Sequence, residues 1–230
     1  MKMSLKTMML TVLTVMLFYR AGLSQEIKWD STYRPEIYPS RVDLYRSFKH
    51  SPKDIVFLGN SITFWGEWPE LLGMPHIKNR GIPGDTSFGL LDRLDEVTGG
   101  HPVSIFILIG INDIARNFPD SIIIRNYERM ISQIKSASPQ TKIFFQTMLP
   151  TNSSFGKLKD HYKNGRIIEI NAKLKDLAKR NDITVIDLYS AFADHTGNLP
   201  AKYTFDGVHL NKQGYDVWVS VLRKGKYLSG

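Results

Sequence analysis

The sequence contains no cysteine. That excludes any disulfide and the lipid-anchored cysteine of a bacterial lipoprotein. It also lacks the Gly-Lys-Ser/Thr ending of a phosphate-cradling loop. There is no Gly-x-Ser-x-Gly elbow, because Thr63 stands where the second glycine would be. No His-x-x-x-His occurs, and His50, His76, His101, His161 and His195 are scattered without ligand spacing, so a metal site is not expected. No basic run is interleaved with stacking aromatics, which argues against a nucleic-acid partner. The apolar stretch from Met8 to Phe18 is too short for a bilayer span, which needs about 20 residues. Internal repeats, low-complexity tracts and linkers are missing as well.

What is present fits one globular domain with a sizeable core: 230 residues, 42% hydrophobic and 23% charged. Residues 1–24 read as a signal peptide, with a basic start at Lys2 and Lys6, the short apolar core, and Gly22 and Ser24 before a cut. Export to a periplasm or the cell exterior is the expectation, with no stable membrane span after cleavage. Removing Lys2, Lys6 and Arg20 lowers the formal charge from +8 to about +5. The remaining basic residues, such as Lys157, Lys159, Lys173 and Lys175, read as solvated helix faces. Residues 25–51, aromatic and proline-bearing, form an amino-terminal arm ending in a short helix over Arg41 to His50, and 52–230 the domain proper.

Five short apolar segments read as buried strands: Ile55–Leu58, Ile77–Asn79, Val103–Ile109, Ile143–Gln146 and Thr184–Asp187. Between them, apolar residues at helical spacing mark Ser87–Val97, Ser121–Ser136 and Gly165–Arg180, and Asn211 can cap a last helix through Trp218 and Leu222. Strands alternating with helices predict a three-layer α/β/α sandwich on a flavodoxin-like, five-stranded parallel sheet of order 2-1-3-4-5. In such sheets ligands bind beyond the carboxyl ends of the strands.

Polar residues stand where that rule expects them. Ser61 follows the first strand in Gly59-Asn60-Ser61, Gly81 and Asp85 follow the second in Asn79-Arg80-Gly81-Ile82-Pro83-Gly84-Asp85, and Asn112 follows the third in Gly110-Ile111-Asn112-Asp113. Each alone also reads as ordinary turn or cap composition. Near the carboxyl terminus, Asp206-Gly207-Val208-His209 places an acid three residues before an imidazole, a spacing that lets the carboxylate fix the histidine tautomer. Asp85 and Asp113 read as cap or turn partners more readily than as site residues.

Taken in order, Ser61, Gly81, Asn112 and His209 resemble the SGNH or GDSL hydrolases over roughly residues 53 to 222. Segments such as Trp68-Pro69-Glu70-Leu71-Leu72 and Arg80-Gly81-Ile82-Pro83-Gly84-Asp85-Thr86 are most similar to the sialate O-acetylesterase-like subgroup, itself close to platelet-activating-factor acetylhydrolase-like members. One departure is Asn60, where the family usually carries Asp. The resemblance implies a cofactor-free serine esterase. Ser61 would be the nucleophile, His209 the base oriented by Asp206, and the N–H groups of Ser61 and Gly81 with the Asn112 amide the oxyanion donors. The expected substrate is a small acyl ester, acetyl above all, on a glycan such as sialic acid. Two alternatives are a longer-chain acylhydrolase and a non-catalytic glycan-binding module. Asn60, Trp65 and Asp85 could line the pocket, and Trp65 and Trp68 serve equally well as core residues.

Overall fold

A computed structural model describes residues 29–228. The expected leader over residues 1–24 lies outside them. In chain order the elements are α1 (Tyr38–Arg46), β1 (Ile55–Gly59), α2 (Ser61–Phe64), α3 (Trp68–Leu72), β2 (Ile77–Gly81), α4 (Ser87–Asp92), α5 (Leu94–Thr98) and β3 (Ser104–Leu108). Then come α6 (Ile111–Ala115), α7 (Asp120–Ala137), β4 (Lys142–Gln146), α8 (Asn164–Arg180), β5 (Thr184–Ile186), α9 (Leu188–Phe192) and α10 (Lys212–Lys224). The strands form one parallel sheet of order β2-β1-β3-β4-β5, as the strand pattern predicts.

β1 and β3 are buried at every residue, which is why they read as unbroken apolar runs. Register aligns Phe57, Phe106 and Phe144 across β1, β3 and β4, and their rings stack at 4.9 and 4.6 Å. Trp68 of α3 continues the column 4.3 Å from Phe57, and Trp218 of α10 meets Trp68 edge-on at 4.7 Å. Both indole N–H groups are satisfied, by Thr63 O and by Gln146 Oε1. Each fully buried aromatic of this kind contributes roughly 1.5–3 kcal/mol through removal from water. Trp68 is therefore core, whereas Trp65 stands 55% exposed. Among the described residues no helix is long and apolar enough to cross a membrane.

Two elements differ from expectation. The arm helix starts earlier, at Tyr38, because Pro39 has the φ of a first helical turn. The single helix expected over Ser87–Val97 is broken in two at Arg93, whose backbone leaves the helical region at φ −124°, ψ 17°. The break turns a fully buried guanidinium toward the sheet edge. There it donates to Gly59 O (3.1 Å) and Arg80 O (2.9 Å) and pairs with Asp85 and Glu96. Periodicity cannot register that exchange of helical continuity for four buried partners.

The arm is anchored by tyrosines on either side of the β2 exit. Tyr45 Oη donates to Gly81 O and Tyr38 Oη to Gly89 O.

Candidate active site

Ser61 opens α2 just beyond β1. Asn60 caps the helix, its Oδ1 accepting the Ile62 N–H at 3.0 Å. An Asp would cap equally well, so Asn keeps the turn and removes a charge beside Ser61. Behind α2, Asn79 of β2 donates through Nδ2 to the carbonyls of Thr63, Phe64 and Gly66, and Tyr215 Oη of α10 donates to Ile62 O. The serine thus sits on a turn held from two sides.

The imidazole arrives from the far end of the chain. An antiparallel bridge between Thr204 and Leu210 closes a loop around Asp206–His209. Gly207 allows this loop at φ +91°, where a Cβ would fall 2.3 Å from Asn152 O. Asp206 Oδ1 accepts the N–H groups of Val208 and His209, and its Oδ2 lies 2.6 Å from His209 Nδ1. Burial raises the Asp206 pKa, but these hydrogen bonds and the neighbouring imidazole outweigh it and hold the carboxyl below its ordinary value. A carboxylate only accepts, so Nδ1 carries the proton and Nε2 is left as an acceptor. His209 Nε2 lies 2.8 Å from Ser61 Oγ. The three side chains form a continuous relay in which the imidazole can take the hydroxyl proton.

Asn112 is the second residue of α6, just beyond β3. Its Nδ2 donates to Asp85 O at 2.8 Å, and His161 Nε2 lies 3.1 Å from its Oδ1. Both ends of the amide are therefore fixed, and one Nδ2 hydrogen has no partner among the described residues. Sequence reading had grouped His161 with the scattered histidines. Only its folded position beside Asn112 distinguishes it.

Gly81 and Asp85 depart from the expected roles. The Gly81 N–H is committed to Asn79 Oδ1 at 2.9 Å, within the latch that holds α2, so it is not an available oxyanion donor. Gly84, three residues on, has φ +79° and an N–H with no partner among the described residues, and it lines the same cleft as Asn112. Two glycines so close in one turn compete for the assignment, and the Asn79 side chain, by occupying the Gly81 N–H, favours Gly84. The Asp85 carboxylate does not line a pocket. It is fully buried against Arg93 Nε at 3.0 Å and accepts the Thr86 N–H, with burial pushing its pKa up to about 6. Its backbone carbonyl, not its side chain, serves the site by holding Asn112. Asp113 is likewise buried, accepting the N–H and Oγ–H of Ser87, and burial raises it to about 6.

Of the other expected pocket residues, Asn60 is buried in its cap and Trp65 lies on the surface. Phe205, 54% exposed, stacks over His209 at 5.8 Å between ring centroids. Among the described residues no three His, Asp or Glu side chains gather as a metal would require.

Known proteins share this arrangement of chain. The GDSL-like lipase/acylhydrolase family matches residues 57–217. Platelet-activating factor acetylhydrolase IB subunit alpha2 of Rattus norvegicus is 28% identical over 174 residues, 73% of this chain and 73% of its own length. N-acylneuraminate cytidylyltransferase of Escherichia coli is 26% identical over 185 residues, which are 77% of this chain but 41% of that protein. A solved chain from Streptococcus pneumoniae, named for platelet activating factor, superposes with a TM-score of 0.77 at 28% identity, covering 94% of this chain and 99% of its own. With the family match spanning most of the described residues on the expected five-stranded sheet, the chain belongs to the GDSL-like lipase/acylhydrolase family, the SGNH hydrolases, and is a hydrolase of acyl esters.

Proposed function

We propose that this protein is an exported serine esterase that removes small acyl groups, acetyl first among them, from carbohydrates. The observation that carries the mechanism is the unbroken contact from Ser61 Oγ through His209 to Asp206, at 2.8 and 2.6 Å. Ser61 Oγ attacks the ester carbonyl carbon as its proton passes to His209 Nε2, and the carbonyl oxygen becomes the oxyanion of a tetrahedral intermediate. Collapse breaks the bond to the sugar oxygen, which leaves with the proton from His209. A water then attacks the acyl-enzyme, giving its proton to His209, and the second collapse frees the carboxylic acid and restores Ser61. Asp206 orients the imidazole and stabilises its charged form throughout.

The oxyanion is assigned to the N–H of Ser61, the N–H of Gly84 and the spare Nδ2 hydrogen of Asn112. Gly84 replaces Gly81 because its N–H is uncommitted. A single such donor is typically worth roughly 3 kcal/mol in the transition state.

Support for an acetyl group comes from the name of the rat relative, an acetylhydrolase, and support for a sugar from that of the bacterial N-acylneuraminate enzyme. Export rests on the leader-like residues 1–24, and a mature amino terminus at Gln25, read by mass spectrometry of the secreted chain, tests it. Fluorophosphonate labelling and hydrolysis of p-nitrophenyl acetate, butyrate, octanoate and palmitate test the chemistry. Acetate preference that disappears in Ser61→Ala is the expected result. Preference for octanoate or palmitate would make the protein a lipase-like acylhydrolase, and a folded chain that neither labels nor turns over would make it a binding module.

A further inference from the structure

The cleft beside Asn112 has a volume of about 380 Å³ and walls from three separate parts of the chain. The arm supplies Trp29, Asp30 and Tyr33, α6 and the residue after it supply Asn112 and Arg116, and the turn before α8 supplies Asp160 and His161. Its size is that of a small-ligand site, and it shares Asn112 and Gly84 with the proposed reaction centre.

The lining has a definite chemistry. Trp29 is held in place by Phe88, stacked at 6.0 Å, and by the buried Phe118 at 5.4 Å. Arg116 lies over the Tyr33 ring with its guanidinium carbon 3.0 Å from the centroid, and it has no carboxylate partner among the described residues. Stacking occupies the face of a guanidinium and leaves the N–H groups on its edge able to donate. Asp30 and Asp160 add acceptors at the rim, Asp30 held below the ordinary carboxylate range by its hydrogen bonds from Thr32. A hydrocarbon chain entering here would strip water from these groups and return no hydrogen bond. Hydroxyls of a sugar ring replace those waters, and the ring's C–H face suits the aromatic walls.

We infer that this cleft is a subsite for a polyhydroxylated sugar ring of the substrate, with the amino-terminal arm as one of its walls. The inference rests on the esterase reading for its place in catalysis, but sugar binding can be measured without turnover. The Gly84 turn lies directly under the arm: a Cβ built there would sit 3.1 Å from Pro35 Cβ and 3.6 Å from Tyr33 Oη. A sugar between arm and α6 would therefore be held beside the oxyanion donors.

The test uses the full mature chain carrying Ser61→Ala, titrated calorimetrically with O-acetylated N-acetylneuraminate and with acetylated xylobiose. At least one should bind, and adding Tyr33→Ala should weaken it by about tenfold while Tyr33→Phe, which keeps the ring, stays within about threefold. Arg116→Ala, at an exposed position, gives a second reading should Tyr33→Ala fail to fold. Absence of binding by either sugar, or unchanged affinity in both Tyr33→Ala and Arg116→Ala, overturns the subsite. Fluorophosphonate labelling of the unsubstituted enzyme separates the two ideas. A labelled enzyme that binds neither sugar refutes the subsite alone, and an unlabelled one that binds through Tyr33 refutes the esterase alone.

Discussion

His161 donates through Nε2 to Asn112 Oδ1 at 3.1 Å, because an amide oxygen can only accept. Its Nδ1 is buried without a partner among the described residues. Burial, and after it the positive field of nearby His209, hold the His161 pKa below the ordinary histidine value. Both effects favour the neutral ring, whose contact fixes which end of the Asn112 amide faces the cleft.

His161→Ala should lower kcat by about tenfold, the worth of one well-placed hydrogen bond, with KM little changed. His161→Gln, which restores a donor, should recover much of it, whereas a purely packing role would show no such rescue. Asn112→Ala should cost roughly a hundredfold in kcat, and Asn112→Asp at least as much, since a carboxylate would repel the developing oxyanion. Full turnover of Asn112→Asp at neutral pH would remove Asn112 from the mechanism.

Asp206→Asn should fold normally, because an amide oxygen can still accept the N–H groups of Val208 and His209. Its Nδ2 would donate to His209 Nδ1 and drive the proton to Nε2, where it blocks acceptance from Ser61 Oγ. A fall in kcat of about 10⁴ with an unchanged unfolding temperature is expected, as for the same change in other triads. A modest fall would mean that the carboxylate only positions the loop.

Asp113 allows a test by pH. Its folded pKa of about 6 exceeds the unfolded value, so the folded state binds the extra proton and wild-type stability drops as pH rises from about 4 to 6. Asp113→Asn removes that dependence. Urea unfolding at pH 4.5 and pH 7 should therefore show the variant gaining on the wild type by roughly 2 kcal/mol, and a constant difference would show that Asp113 is ionised without penalty.

Arg93→Met should remove roughly 3–5 kcal/mol of stability at pH 7 by leaving Asp85 buried without its cation and Glu96 with Arg80 alone. Part of that loss should return at pH 5, because the unpaired, buried Asp85 carboxylate takes up a proton in the folded state. Equal losses at both pH values would show that the damage is one of packing.

The sheet was legible in the sequence because β1 and β3 are buried on both faces and long helices carry one apolar side, and both leave periodic traces. The positions of Ser61 and Asn112 followed from strand ends, and that of the Asp206–His209 pair from the three-residue spacing of acid and imidazole. What escaped depends on side-chain contacts that neither periodicity nor spacing records. Arg93 breaks a helix for the sake of carbonyls on β1 and β2. Gly81 loses its N–H to Asn79 within the β2 exit, and Asp85 turns from the cleft to meet Arg93. No spacing rule ties His161 to Asn112 across 49 residues.

The Ser61–His209 contact joins positions 148 residues apart, and the last strand of the sheet ends at Ile186, before the histidine loop begins. All five strands thus precede the loop that brings the serine its base, whereas α10, with Trp218 on Trp68, follows it. Labelling by a serine-directed probe would then count only those molecules whose final loop has closed. The chemistry itself thus reports whether that loop has closed, which spectroscopic signals from the sheet would miss.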